Sequence, residues 1–357
     1  MARSHSSRTS SDQPPLQVFA PLGDRPLLLA LRALKLGDLL VAVPALKALA
    51  RTFPDHAVVY AAPGWLAPIV RLVPGVRALL PTAGLDDPLE IAPGLVDIAA
   101  NLHGNGQESR GLIAALQSRL VFRHAAPDGR IDAREPEWVD GMLERRRWAR
   151  LVNAFGADAC EDDVAIDIPH APSSAPGAVV VHVGAFYGSR QWPVERFAAV
   201  AANLASSGER VVVTGGDSDL DRAAAVVREA GLGQHAMLAG RLALDGLAAQ
   251  VAGSRLVISA DTGAAHLASA YGIPSVVIFG PAPVEEWGPP PGPHVALTDA
   301  SVRRGDAFAP DPDPALLAVD ANAVLAAARD LLTSTPLAPP PHSSPPLAPL
   351  RHSRKSG

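Results

Sequence analysis

Short apolar runs alternate with amphipathic segments along this chain of 357 residues, and the alternation passes through two cycles. The first cycle opens with an apolar run at 26–33, a helical pattern at 40–53 and a second apolar run at 56–62. The second cycle opens with Ala-Val-Val-Val-His-Val-Gly at 178–184. Strands that alternate with helices predict parallel sheets with helices on both faces. A polar, proline-rich stretch at 167–177 separates the cycles and is interpreted as a linker.

The same periodicities predict the other elements. Further strands are expected at 95–102, 209–216, 256–260 and 275–279. Further helices are expected at 111–120, 137–156, 193–208, 218–231, 244–254 and 320–332, with one more between the last two strands. The regular part of the 40–53 helix is expected to start near Pro44, because proline is tolerated in a first helical turn.

The prediction is therefore an α/β protein of two Rossmann-like domains that face each other across a cleft. Residues 1–25 are predicted to be a disordered arm and residues 26–170 the first domain. The second domain is predicted to span 177–333, and 334–357 to be a disordered tail, because this Pro- and Ser-rich segment cannot bury enough apolar surface to order itself.

Composition argues against several classes of protein and site. The net charge of −5 gives no basic footprint for nucleic acid. The single cysteine, Cys160, cannot form an internal disulfide, which favours a reducing compartment such as the cytoplasm. The eleven histidines lack metal-ligand spacing, so no metal site is expected. No apolar run reaches the roughly 18 residues that a membrane span needs.

Four loops that contain glycine follow predicted strands, and ligands of open parallel sheets bind beyond the carboxyl ends of the strands. Asp38 follows the first strand and Arg190 the strand at 178–184. Asp-Thr-Gly-Ala-Ala-His at 261–266 opens a helix, whose free N–H groups and dipole favour an anion. Each residue also has a simpler interpretation. Asp38, or Asp261 and Thr262, could cap a helix, His266 could pack in the core, and Arg190 could be a surface charge.

Five segments follow one another along the chain: "LRALKLGDLLVAVPALKALARTFPDHAVVYAA", "DIAANLHGNG", "VVVHVGAFYGSRQWPVERFAAVAANLASSGERVVVTGG", "ISADTGAAHLASAYGIPSVVIFGP" and "EEWGP". In sequence and in order, they resemble segments of glycosyltransferase family 9, the family of the lipopolysaccharide core heptosyltransferases. The resemblance implies a GT-B fold, with the acceptor mainly on the first domain and the nucleotide-sugar donor mainly on the second. It also implies an inverting, metal-independent sugar transfer without a cofactor.

The resemblance also assigns roles to residues. Asp38 matches the family's general base, which takes the proton of the acceptor hydroxyl. Thr262, Gly263 and His266 would hold the donor diphosphate, and Asp261 would orient their loop. Two further residues depart from the family pattern: Arg190 stands where lysine is common near the diphosphate, and Asp219 stands where a glutamate often binds the ribose.

By resemblance, the donor is a nucleotide sugar, with ADP-heptose as the expectation, and the acceptor is a glycolipid or another glycan. A lipid-linked acceptor would bring the protein into peripheral contact with the inner face of the membrane. Two alternatives remain from the sequence: an inactive protein that binds nucleotide sugars, and a sugar-nucleotide epimerase with the same architecture.

Overall fold

The computed structural model describes residues 16–334 and contains two β-sheets. The first sheet has six strands in the spatial order β1-β4-β3-β2-β5-β6. Its strands are β1 (Gln17–Val18), β2 (Leu27–Leu31), β3 (Ala57–Ala62), β4 (Val76–Pro81), β5 (Val96–Asn101) and β6 (Leu120–Phe122). All neighbours are parallel except β1, which pairs antiparallel with β4 at the edge of the sheet.

Helices cover both faces of this sheet. They are α1 (Leu36–Thr52), α2 (Ala67–Val70), α3 (Gln107–Ala115) and α4 (Glu144–Ala154). Alternate residues of β2 enter different hydrophobic clusters: Leu28 lies in the cluster that contains α1 and α4, and Leu29 lies in the cluster that contains Ile113 of α3. Because side chains alternate along a strand, both faces of the sheet are buried and its strands are apolar throughout.

The second sheet has five parallel strands in the order β11-β10-β9-β7-β8. These strands are β7 (Val179–His182), β8 (Val211–Thr214), β9 (Leu256–Ala260), β10 (Ser275–Ile278) and β11 (His294–Leu297). The helices of this half are α5 (Val194–Ser206), α6 (Leu220–Glu229), α7 (Leu244–Ala252), α8 (Gly263–Ala270), α9 (Val284–Trp287), α10 (Pro314–Leu317) and α11 (Ala321–Ser334).

Strand order reverses direction once in each sheet. In chain order, the parallel strands of the first sheet are arranged 3-2-1-4-5, and the reversal lies between β2 and β5. Those of the second sheet are arranged 2-1-3-4-5, and the reversal lies between β7 and β9. Both arrangements are doubly wound, and ligands of such sheets bind at the reversal, beyond the carboxyl ends of the strands.

The two halves share apolar packing. Leu39 of α1 and Leu267 of α8 belong to one hydrophobic cluster, which also includes Leu151 of α4 and Val251 of α7. The α1 and α4 side of the first sheet therefore faces the α7 and α8 side of the second. This packing brings the amino-terminal ends of α1 and α8 together, and each of these helices follows a strand at a reversal point.

The structure corrects several sequence predictions. The prediction of a disordered arm at residues 1–25 is wrong near its carboxyl end, because Gln17–Val18 forms a strand that pairs with β4. Residues 1–15 lie outside the described part of the chain. Helix α1 begins at Leu36, so Pro44 lies inside the helix and Asp38 lies within its first turn. The helix predicted at 137–156 is shorter, spanning Glu144–Ala154. The predicted tail, apart from Ser334 in α11, lies outside the described residues.

Candidate active site

At the first reversal point, the carboxylate of Asp38 is bound through both oxygens. Its Oδ1 accepts a hydrogen bond of 2.8 Å from the Arg32 guanidinium, and its Oδ2 accepts one of 3.3 Å from the backbone N–H of Lys35. The second bond is the helix-capping contact that the sequence left open. The side chain is still 22% exposed. A carboxylate can accept up to about four hydrogen bonds, so lone pairs remain for a substrate hydroxyl.

Arg32, to which the sequence gave no role, holds the Asp38 carboxylate in place. It is only 2% exposed, and its guanidinium also donates to the backbone carbonyls of Asp38 and Leu102, at 2.7 and 2.6 Å. Glu144 of α4 lies 3.4 Å from the same guanidinium and accepts a bond of 3.1 Å from the Trp148 indole N–H. A side chain held by so many partners is preorganised, and so is the carboxylate that it contacts.

His103 lies beside this pair, after β5. Its Nδ1 accepts a hydrogen bond of 3.1 Å from the backbone N–H of Ala33, which requires that nitrogen to be unprotonated. Burial, reinforced by the positive charge of Arg32, lowers the pKa of His103 from 6.5 to about 4. His103 is therefore neutral near pH 7. The sequence placed His103 in a family segment but gave it no role.

At the second reversal point, Asp261 is buried at 3% exposure and carries three contacts. Its carboxylate and its backbone carbonyl both accept from Arg190 Nη1, at 2.8 and 2.9 Å. Its other carboxylate oxygen lies 3.5 Å from His266 Nε2. The structure thus brings together Arg190, Asp261 and His266, as the sequence predicted. Arg190 Nε is buried without a hydrogen-bond partner among the described residues, so part of this guanidinium has no acceptor there.

Neither Asp261 nor Thr262 caps α8 with its side chain. Thr262 is the N-cap residue in extended conformation, but its hydroxyl contacts the Ser259 hydroxyl at 2.9 Å. Within residues 16–334, the N–H groups of Gly263 and Ala264 have no backbone acceptor. Unsatisfied N–H groups at a helix amino terminus, with the helix dipole, are a favourable environment for a phosphate.

The two reversal points touch each other. Leu36, in the first turn of α1, fills the space beside Gly263, where a Cβ atom would approach Leu36 Cδ2 to 2.6 Å. A Cβ atom on Gly37 would lie 3.1 Å from His266 Cδ2. The loop that contains Asp38 and the loop at 261–266 therefore face each other directly, with glycine on each side of the junction.

Asp219 is also buried. It is 8% exposed, and its Oδ2 accepts a bond of 2.8 Å from the backbone N–H of Gly216 in its own loop. A Cβ atom on Gly184 would lie 2.8 Å from the same oxygen. Asp219 thus packs between the loops after β7 and β8, where it fixes loop geometry; its predicted contact with a ribose stays a prediction.

On the second domain, the Arg190 guanidinium pairs with the Asp261 carboxylate, and the His266 ring lies beside them. Across residues 16–334, His, Cys, Asp and Glu side chains form no group of three or more that could hold a metal ion. Among the same residues, no helix is both long and apolar enough to cross a membrane.

Two doubly wound domains whose reversal points face each other define the GT-B class of fold. Solved structures share this fold over most of their length. A family 9 glycosyltransferase from Veillonella parvula is 20% identical, covers 88% of this chain and 100% of its own, and has a TM-score of 0.71. An E. coli heptosyltransferase solved with ADP is 17% identical, covers 85% of this chain and 99% of its own, and has a TM-score of 0.65.

Sequence comparison gives the family. Residues 145–299 match the glycosyltransferase family 9 (heptosyltransferase) model. Lipopolysaccharide heptosyltransferase 1 of Pseudomonas aeruginosa is 31% identical over 149 residues, which are 40% of this chain and 41% of that protein. The chain thus matches less than half the length of this curated relative. The matched segment, residues 145–299, is similar to glycosyltransferase family 9.

Proposed function

We propose that this protein transfers a sugar from a nucleotide sugar to a hydroxyl group of a glycan or glycolipid, with inversion at the anomeric carbon. The observation that carries the proposal is the direct opposition of two features: the Asp38 carboxylate, and the amino end of α8 with its free N–H groups. They lie on loops that meet at Gly37 and His266. A general base and an anion site on opposite sides of one cleft are what such a displacement needs.

The reaction follows from this placement. The acceptor hydroxyl loses its proton to Asp38 as its oxygen attacks the anomeric carbon of the donor. The bond from that carbon to the diphosphate oxygen breaks, and the nucleoside diphosphate leaves with the bonding electrons. The helix amino terminus, Thr262 and His266 would stabilise the negative charge that grows on the leaving group. Asp261 would hold His266 and Arg190 in place through the contacts described above.

The donor is proposed to be ADP-linked, with heptose as the sugar. The match of residues 145–299 to the family model supports this choice, as do the fold shared with a heptosyltransferase solved with ADP and the partial match to a lipopolysaccharide heptosyltransferase. The groups at the proposed diphosphate site are the Arg190 guanidinium, the His266 ring and the free N–H groups of α8, so we propose that transfer proceeds without a metal ion. We propose that the protein is cytoplasmic and meets a lipid-linked acceptor at the inner face of the membrane.

The test measures ADP release from ADP-heptose, with and without a glycolipid extract, in the presence of a metal chelator. Asp38→Asn keeps the shape of the side chain and removes the base, so we expect the rate to fall by at least ~100-fold. Asp330→Asn is the matched control, since Asp330 is exposed on α11. Equal rates for Asp38→Asn and wild type would reject Asp38 as the base. Donor binding without release on any acceptor would instead indicate a binding protein.

A further inference from the structure

The side chain of Lys35 crosses the cleft between the domains. Lys35 is the N-cap residue of α1 in the first domain. Its ammonium lies 3.2 Å from the ring centre of Phe186 and 4.5 Å from that of Tyr187. Both rings belong to the loop that follows β7 in the second domain. Within residues 16–334, this ammonium has no carboxylate partner, whereas Lys47 on the same helix pairs with Asp163.

Of the two rings that hold Lys35, Phe186 is open to solvent and Tyr187 is half-buried. Phe186 is 78% exposed, and Phe308, which packs edge-on against Tyr187 with ring centres 5.0 Å apart, is 73% exposed. Their loop is fixed from behind, because Ser189 bonds the carbonyls of Ala307 and Ala309. A cation on an exposed aromatic face is stabilised only weakly, because water competes for it. The ammonium is therefore held weakly and can move to a better partner.

The neighbours of Lys35 belong to the proposed donor site. Leu36, the next residue, packs on Gly263, and Gly37 lies against His266. Phe186 and Tyr187 come shortly before Arg190 in the loop after β7. Lys35 thus lies between the carboxyl ends of β7 and β9, over the second reversal point.

Without Lys35, the second reversal point has too little positive charge to balance a diphosphate. The Arg190 guanidinium is opposed by the buried carboxylate of Asp261, which also lies next to His266. A diphosphate carries several negative charges, whereas the charge of the Arg190 guanidinium is already shared with the Asp261 carboxylate. Lys35 is a compact, flexible cation that binds phosphate oxygens as a point charge. Charge-assisted hydrogen bonds of this type are stronger than the aromatic contact that would be lost.

We propose that Lys35 binds the diphosphate of the nucleotide sugar from the first domain, and that Phe186 and Tyr187 hold its ammonium while the site is empty. The inference rests on the proposed function, since it assumes a nucleoside diphosphate at α8. On this account the first domain supplies a base, Asp38, and three residues earlier a cation for the leaving group. Both are rigidly linked through the first turn of α1, so one movement of that turn brings both to the donor.

The composition of the chain permits a direct test. It contains 28 arginines but only three lysines, at positions 35, 47 and 355. Acetylation followed by peptide mass spectrometry therefore reports on each lysine separately. With saturating ADP, we expect labelling of Lys35 to slow by ~10-fold, with AMP less and with adenosine not at all. Lys47, already in an ion pair, should label at the same rate throughout. If calorimetry shows bound ADP while labelling of Lys35 is unchanged, the inference is wrong.

Substitution provides the second test. Lys35→Met keeps the length of the stem and removes the charge, so ADP affinity should weaken by ~10-fold and AMP affinity by less than ~3-fold. Lys47→Met is the matched control on the same helix and should leave both affinities unchanged. Phe186→Leu should tighten ADP binding slightly, because the ammonium loses its resting partner. An unchanged ADP affinity in Lys35→Met would overturn the inference alone. Failure of the wild-type protein to bind ADP would overturn the proposed donor as well.

Discussion

The guanidinium of Arg32 donates to four oxygens within the first domain, so its position in the site is tightly constrained. Arg32→Lys keeps the charge but cannot reproduce the planar fork. We expect kcat for sugar transfer to fall by ~10-fold or more, since small displacements of a catalytic group reduce the rate strongly. The Kd for ADP, measured by calorimetry, should change by less than ~3-fold, because Arg32 contacts no residue of the second domain in the bonds described above.

A parallel loss of ADP affinity in Arg32→Lys would show that the whole cleft had been disturbed, and would contradict a local role. Circular dichroism distinguishes that result from unfolding. The conservative control is Arg130→Lys, since Arg130 is 46% exposed and pairs only with the exposed carboxylate of Glu137.

The sequence predicted the residues of the site that lie in contiguous motifs, and missed those that are defined by contacts across the chain. Asp261 and Thr262 follow a strand and precede a helix, which is visible in the sequence. Arg32 and Glu144 are 112 positions apart, and nothing in the local pattern of either indicates that they share a contact. Lys35 was overlooked for the same reason, since its aromatic partners lie in the other domain.

At the scale of elements, periodicity located the long, strongly apolar or amphipathic segments within a few residues. The predicted strand at 256–260 is β9, and the predicted helix at 244–254 contains α7. Strands β4, β6 and β11 were missed. β4 ends in a proline, and all four residues of β11 are only half-buried, so neither gives a clear apolar run. The start of α1 was misplaced because proline was taken as a boundary. The helix begins eight residues before Pro44, and the Lys35 backbone N–H donates to Asp38 Oδ2 in its first turn.

One methyl group added at Gly263 tests the contact between the amino-terminal ends of α1 and α8. In Gly263→Ala, the new Cβ would approach Leu36 Cδ2 to 2.6 Å, so the two helix ends must separate. We expect donor affinity to fall by ~10-fold, and the free energy of unfolding to fall by about 1–3 kcal/mol, the usual effect of overpacking. Leu36→Ala removes the opposing side chain, so Gly263→Ala in that background should have a smaller effect on donor affinity. Equal losses in both backgrounds would contradict a contact between these residues.

For the whole molecule, the sequence predicted the class of fold but not how the carboxyl-end edges of the two sheets meet. Alternating elements imply parallel sheets, and the family motifs imply the GT-B arrangement that the structure confirms. The strand orders, and hence the reversal points, depend on which strands pair, and pairing partners leave no local signal. The shared apolar cluster of α1, α4, α7 and α8 determines how these two edges are placed relative to each other. It joins residues more than 200 positions apart. The domain limits at 170 and 177 stay predictions.

The folded protein should lose stability in mild acid, because it buries histidines in their neutral form. Burial is the main cause that lowers the pKa of His103, His124, His182 and His294 from 6.5 to about 4. Each pKa unit corresponds to about 1.4 kcal/mol at most. The unfolded chain binds protons below pH 6.5 while the folded chain resists them until about pH 4, so this stability is complete above pH 6.5 and is lost as the pH falls towards 4.

Urea unfolding followed by circular dichroism between pH 7.5 and 4.5 measures this effect. We expect the free energy of unfolding to decrease steadily below pH 6.5. His182 is the best position for a variant, since it is 8% exposed and its only side-chain bond is the 3.0 Å contact of Nδ1 with the Thr214 hydroxyl. His182→Gln retains a hydrogen-bonding group without a proton to gain, and should flatten the slope between pH 6.5 and 4.5. His235→Gln, in which no buried ring is replaced, should leave the slope as in the wild type. A wild-type curve that stays level across this range would show that these histidines are not held neutral by the fold.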